Sequence, residues 1–414
     1  MSAGAAPPVV AVVPFVLMLL AIAVCPLWAP QWWEPNRHKL AVGVLLGAPV
    51  LVLYLLRRPA ALLEMGEDYV SFIVLLAALY AISGGIRLTG DLRATPLTNT
   101  AFLGVGTVLA SLIGTTGASM LLIWPLLQTN RERRRVKHTV IFFIFLVSNI
   151  GGMLTPLGDP PLFLGYLRGI PFRWTFGLWP MWLFMSVVLL VLYFAWDWRE
   201  HGRESHAALR DDRANIEPLR LRGGGNALTL GAVVVAVAAL HAPWRELTIA
   251  AVAAVSLWRT PASIRRENGV RAYPMIEVAV LFFGIFLTMI PALELLRVRG
   301  DALGVREPWQ FFWATGLLSS FLDNAPTYLT FLSLAQSLRL TPEIVGVTHV
   351  VLQAISVGAV AMGANSYIGN APNFMVKSIA EEAKVDMPSF FGYMLYSGTI
   401  LLPVFAASTL LFFR

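Results

Sequence analysis

The chain has 414 residues, 57% of them hydrophobic and 13% charged, against roughly 45–50% and about 25% in soluble domains. That apolar excess cannot be hidden in one globular core, which excludes an ordinary soluble protein. The net charge of +7 does not point to nucleic acid, because basic residues of a membrane protein gather in the loops that stay in the cytoplasm.

In chain order, the first apolar run is Val9 to Ala29, uncharged and long enough to cross a bilayer. Met1 to Pro8 carry no Lys or Arg, so this run is expected to be a retained helix and not a cleaved signal. Cys25 lies inside it and is the only cysteine, which excludes an intrachain disulfide and gives no hint of redox chemistry. Further on, Ala94 to Asn130 runs 37 residues without a charge, about twice one span, and Gly114-Thr-Thr-Gly117 interrupts its middle. It reads as a re-entrant hairpin. His138 to Leu167 starts as a helix and breaks at Thr155-Pro-Leu-Gly-Asp-Pro-Pro161. Gly177 to Trp196 is again an uncharged span, and Trp198 to Asn226 is the long hydrophilic segment, mixing six Arg with five acids. Pro308 to Leu338 repeats the hairpin with Asp323-Asn-Ala-Pro326 at its centre and Arg306, Glu307 and Arg339 at its ends. Ile344 to Val376 repeats the broken helix at Ser366-Tyr-Ile-Gly-Asn-Ala-Pro372, and Pro388 to Phe413 is the last uncharged span.

The two halves align at nearly constant spacing. Glu67 matches Glu277, Gly90-Asp91 matches Gly300-Asp301, Ser111 matches Ser320 and Gly158 matches Gly369, at offsets of 210, 210, 209 and 211. Four matches in register around matching interruptions point to an internal repeat. Counting the hairpins as re-entrant leaves ten spans, and 21 of the 31 Lys and Arg then fall on one side, including the cluster Arg131 to Lys137. The positive-inside rule makes that side cytoplasmic and puts both termini outside. In this layout the repeats run in opposite directions across the membrane. The expected fold is therefore an all-α membrane protein with about ten transmembrane helices, two re-entrant hairpins and two inverted repeats with unwound helices. Its parts are N-terminal scaffold spans (1–66), a first repeat (67–197), a cytoplasmic linker (198–226), connecting spans (227–274) and a second repeat (275–414).

Non-helical backbone at membrane depth is tolerated only where it is buried or lines a wet cavity. The four interruptions are thus expected to converge on a site near the midplane, where carbonyls coordinate cations and half-helix N-termini face anions. Gly114, Gly117, Gly158 and Gly369 permit close turns. Thr115, Thr116, Ser119, Ser148, Asn149, Thr155, Asn324, Thr327, Asn365, Ser366, Asn370 and Asn373 offer side-chain oxygens, which are hard-cation ligands. The same residues also make ordinary turns and backbone bonds. Asp159 and Asp323 each sit at a break, where a charged Asp costs roughly 2.5–3.5 kcal/mol on insertion scales. Desolvation favours a neutral carboxyl and a bound cation favours the carboxylate, so such a pair suits proton and cation exchange. Glu67 and Glu277 are candidate relay groups at matching span ends, and they are equally readable as solvated anchors. His241 and His349 stand alone in apolar runs and share no metal-ligand spacing. No Walker loop, HExxH or nucleophile constellation occurs, so the chain does not read as an enzyme or a nucleotide-driven pump.

Ser148-Asn-Ile-Gly-Gly-Met-Leu-Thr-Pro-Leu-Gly-Asp-Pro-Pro161 resembles the unwound fifth-helix motif of the ion transporter superfamily. Leu322-Asp-Asn-Ala-Pro-Thr327 resembles the second-hairpin motif of its NhaD-type sodium/proton antiporters and arsenite-pump relatives; citrate-transporter-like (CitMHS-related) membrane proteins belong to the same circle. With the repeat, the resemblance covers roughly Glu67 to Pro403. It implies a homodimer in the bacterial inner membrane, in which scaffold helices hold a mobile transport domain that moves as an elevator. It also implies cation sites at the hairpin tips and helix breaks, with sodium and protons as cargo and no cofactor. The sodium/dicarboxylate branch carries Ser-Asn-Thr at both tips and usually Thr where Asp159 stands. The acids here would repel an anionic substrate. The expected activity is sodium/proton antiport; the alternatives are a citrate-like carboxylate symporter and an arsenite or small-solute transporter.

Overall fold

The computed structural model describes residues 7–338 and 343–414. Arg339, one end of the second hairpin in the sequence, lies outside them, as do the first six residues. After a 3-10 turn, α1 (Val13–Trp28), the short α2 (Pro30–Trp33), α3 (Asn36–Arg57) and α4 (Pro59–Ser83) follow one another, and then a strand, β1 (Arg87–Asp91). Next come α5 (Pro96–Ile113), α6 (Thr115–Thr129), α7 (Lys137–Leu146), a 3-10 segment Ile150–Leu154, and α8 (Pro160–Leu167). The half closes with α9 (Trp179–His201), α10 (His206–Ala214) and β2 (Glu217–Arg222). Three helices join the halves: α11 (Asn226–Ala239), α12 (Trp244–Arg259) and α13 (Ala262–Glu267). The second series is α14 (Ala272–Arg299), α15 (Pro308–Ser319), α16 (Asn324–Ser337), α17 (His349–Met362), a 3-10 segment Gly363–Asn365, α18 (Ala371–Glu382) and α19 (Phe390–Phe412). Both halves thus run through the same order of long helix, helix pair, broken helix and closing helix.

Among the described residues, eight helices are long and apolar enough to cross a membrane, and the shorter Asn226–Ala239 and His349–Asn365 are apolar too. The protein is an α-helical, multi-pass membrane protein. One of the eight is α5, read from sequence as a hairpin arm; its 18 residues reach about 27 Å, close to a full crossing. Its counterpart α15 has only 12.

Burial sorts the helices. Val140 to Val147 of the first broken helix are at most 1% exposed, and Val351 to Met362 of the second are buried almost throughout. Helices that are apolar all round belong inside a bundle, so the two broken helices form its centre. The first span is the opposite: only 17% of Val9–Pro26 is buried, and its exposed Val and Leu side chains face outward, where lipid suits them. α14 ties the outer helices together. Its Glu277 accepts from Lys39 at one end of α3 (2.6 Å), and its Glu294 accepts from Tyr54 and Arg58 at the other end (2.7 Å each). Phe72 of α4 packs on Phe282 and Phe286 of the same helix.

The hydrophilic segment 198–226 is ordered more than its composition suggests. It continues α9, forms α10, and sends β2 back to pair antiparallel with β1, Arg87 opposite Arg222 and Asp91 opposite Glu217. Near the end of α9, Asp197 is fully buried against Arg133 (2.5 Å) and His138 (2.8 Å), with Asn99 also donating to it (3.3 Å).

Candidate functional site

Each interruption has a local cause. The first tip turns at Gly114, whose φ of +81° is unfavourable for any residue with a Cβ. Thr115 N–H, the first of α6, donates to Gly158 O of the neighbouring helix break (2.9 Å). At that break the chain folds back on itself so tightly that a Cβ on Gly158 would lie 2.1 Å from Gly152 O. The second break repeats the contact, with a Cβ on Gly369 falling 2.5 Å from Gly363 O. After each break a residue in extended backbone caps the next helix: Asp159 before α8 (φ −145°, ψ 143°) and Asn370 before α18 (φ −151°, ψ 141°).

The hydrogen bonds recur at the same spacing. Thr155 donates to Ser111 O and Ser366 donates to Ser320 O. Ser111 donates to Gly151 O, and Ser320 to Met362 O. Thr155 Oγ1 also accepts from Leu157 N–H and Ser366 Oγ from Ile368 N–H, both at 3.2 Å. These two hydroxyls therefore fasten each break to its hairpin.

All four interruptions meet at one carboxylate. Asp159 is 1% exposed. Its Oδ1 accepts from Thr115 Oγ1 of the first tip (2.9 Å) and from Asn370 Nδ2 of the second break (3.1 Å). Its Oδ2 accepts from Asn324 Nδ2 of the second tip (2.5 Å). Asn370 also reaches Ser148 O and Asn149 Oδ1, and Asn149 donates to Asn373 Oδ1 (2.7 Å). Asn373 in turn donates to Gly363 O and Ser366 O (2.9 Å each). A continuous amide relay thus runs from Asp159 into the second break. Asn324 Oδ1 and Asn365 Oδ1 are buried without a hydrogen-bond partner among the described residues, and buried oxygens of this kind are uncommon.

Asp159 lines a cavity of about 410 Å³, together with Gly114, Thr115, Thr116, Gly117, Gly158 and Asn370. Asp323 and Glu277 line it as well. Asp323 makes no direct bond to Asp159; it caps α16, accepting from Ala325 N–H (2.9 Å). Apolar walls come from α4 and α14, among them Leu75, Leu79 and Phe282. No Lys or Arg lines the cavity among the described residues.

Other expected ligands have partners elsewhere. Ser119 bonds to Ser148 (2.8 Å), Thr327 to Asp323 O (2.9 Å), and Asn365 Nδ2 to Ser320 Oγ (2.9 Å), while Gly369 serves the tight turn. Glu67 and Glu277, equivalent in sequence, are not equivalent in place: Glu67 is exposed away from the cavity, and Glu277 lines it. Lys39, 2% exposed and held by Glu277, Glu34 O (3.0 Å) and Asn36 Oδ1, was not singled out by sequence. At the start of an apolar helix it looks like any interfacial anchor. A single Lys has no periodic signal that would reveal a partner 238 residues away. No cluster of His, Cys, Asp and Glu suited to a resident metal occurs among the described residues.

Paired broken helices around a shared cavity in a multi-pass bundle define a secondary transporter. The family model described as "Putative citrate transport" (CitMHS_2) matches residues 4–413, and the chain belongs to that family. No curated protein matches the chain.

Proposed function

We propose that the protein exchanges protons for a monovalent cation, with sodium the expected cargo, at Asp159 and Asp323. The observation that carries this reading is the set of donors on Asp159: Thr115, Asn324 and Asn370 come from three interruptions, and Asp159 itself stands on the fourth. Each of the four interruptions therefore touches, or carries, this one carboxylate. A proton on Asp159 removes the charge that gathers these donors. A cation replaces the proton as counter-charge, and the partnerless Asn324 Oδ1 is an oxygen beside the same carboxylate that a rotated amide would present to it. Proton and cation then compete for one carboxylate, and exchange follows without a separate coupling device. Elevator movement of the hairpins and broken helices against α3, α4 and α14, in a homodimer in the bacterial inner membrane, completes the proposal.

A second reading has its own support. α6, α8, α16 and α18 all begin at the site, and helix N-termini favour anions. With both acids protonated, those ends would suit a carboxylate, as the family description suggests. Against it stand three acids and, among the described residues, no cationic side chain at the cavity wall. Everted vesicles with an acidified lumen separate the readings. Antiport predicts fluorescence dequenching on addition of sodium or lithium, and none with citrate.

A further inference from the structure

A second cavity, about 1030 Å³, opens on the face that carries Arg131 to Lys137. It lies away from the hairpin tips, between two walls. One wall is β1 with Glu267 and Asn268; the other is the loop 130–138 with residues 383–386, and Lys137 and Asp386 bridge the latter pair (2.9 Å). Seven lining side chains are Arg or Lys and three are Glu or Asp. Arg87, Arg133, Arg135 and Lys137 have acidic partners, and Arg131 pairs with Asp91 and Glu132. Arg134 and Lys384 have none among the described residues, and both are exposed toward the crevice.

The floor has the opposite chemistry. Met120, Leu121 and Trp124 of α6 form an apolar track, with Trp196 and Tyr396 beside it. A surplus of cations above an apolar, Trp-bearing track matches a molecule with an anionic head and an apolar tail at the membrane interface. A free oxyanion would satisfy Arg134 and Lys384 but would have no use for the track.

We propose that this crevice binds an anionic phospholipid, its phosphate between Arg134 and Lys384 and an acyl chain along Met120, Leu121 and Trp124. The lipid would sit where the ribbon wall meets the loops that end α6 and α18. Those two helices begin at the Asp159 site, so lipid occupancy would bear on their movement.

The test uses the full chain in phosphatidylcholine nanodiscs, titrated with phosphatidylglycerol or, separately, with inorganic phosphate, and read by melting temperature and by lipid adducts in native mass spectrometry. Phosphatidylglycerol should raise the melting temperature and leave a retained adduct, while inorganic phosphate should do neither. R134Q/K384Q should bind phosphatidylglycerol about thirtyfold more weakly. The charge-matched control R213Q/R220Q, altered at exposed positions outside the crevice, should bind like wild type. Equal protection by inorganic phosphate, unchanged binding in R134Q/K384Q, or an equal loss in the control would each overturn the proposal.

Discussion

Replacing Asp159 by Asn removes the titratable charge while leaving the site a way to stay bonded. An Asn at 159 keeps Oδ1 for Thr115 and Asn370, and turns Oδ2 into a donor that faces Asn324 Nδ2. Asn324 can answer by flipping its amide, because its own Oδ1 is buried and unpartnered. Hydrogen bonds to a charged acceptor contribute roughly 1.5–3 kcal/mol and neutral ones about 0.5–1.5, so three bonds weaken by about 3 kcal/mol in sum. Relief from burying an ion offsets this by several kcal/mol. The net change in stability is expected to stay within about 2 kcal/mol, so D159N should insert and melt close to wild type. Its response to sodium should differ sharply. At a hundredfold excess over Kd a bound ion stabilises the native protein by about 2.7 kcal/mol, and that sodium-dependent rise in melting temperature should vanish along with dequenching in vesicles. A D159N variant that keeps both would refute the reasoning, as would one that fails to fold.

Lys39→Met should destabilise by about 1–2 kcal/mol, the usual cost of breaking a buried pair discounted because Glu277 is 35% exposed. Adding Glu277→Gln should restore part of that loss in a double-mutant cycle of melting temperatures; strict additivity would count against coupling. Arg133→Gln strands Asp197, whose side chain is 0% exposed, and should cost about 3–5 kcal/mol in thermal unfolding. A loss below about 1 kcal/mol would show that His138 and Asn99 suffice. Gly158→Ala places a Cβ 2.1 Å from Gly152 O and should abolish folded expression on size-exclusion, whereas Gly177→Ala, with no atom within 4 Å, should be neutral.

Much of the site was readable because backbone breaks leave chemical marks. Gly and Pro clusters interrupt an apolar run wherever a helix unwinds inside it, so the positions of all four breaks could be read from spacing. The role of each hydroxyl could not. In sequence Thr155 and Ser366 read equally as cation ligands and as backbone partners, and only the folded chain shows that they donate to Ser111 O and Ser320 O. The β1–β2 ribbon was missed for a similar reason: Glu217 to Arg222 is exposed and charged, so nothing in its own pattern announces a partner 130 residues earlier. The sequence marks the turn at Gly114 but reads the run before it as a hairpin arm, because an uncharged run split in two does not reveal that its first part is an 18-residue helix, close to a full crossing.

The central claim is that a cation, and not a carboxylate, competes with protons at Asp159. Its most direct measurement is dequenching in everted vesicles that hold the wild-type chain and an acidified lumen, with sodium, lithium, potassium and citrate added in turn. The account predicts proton release on sodium addition, absent in vesicles carrying D159N or D323N, and no response to citrate. Proton movement driven by citrate with sodium alone inert, or sodium-driven release undiminished in both variants, would contradict it.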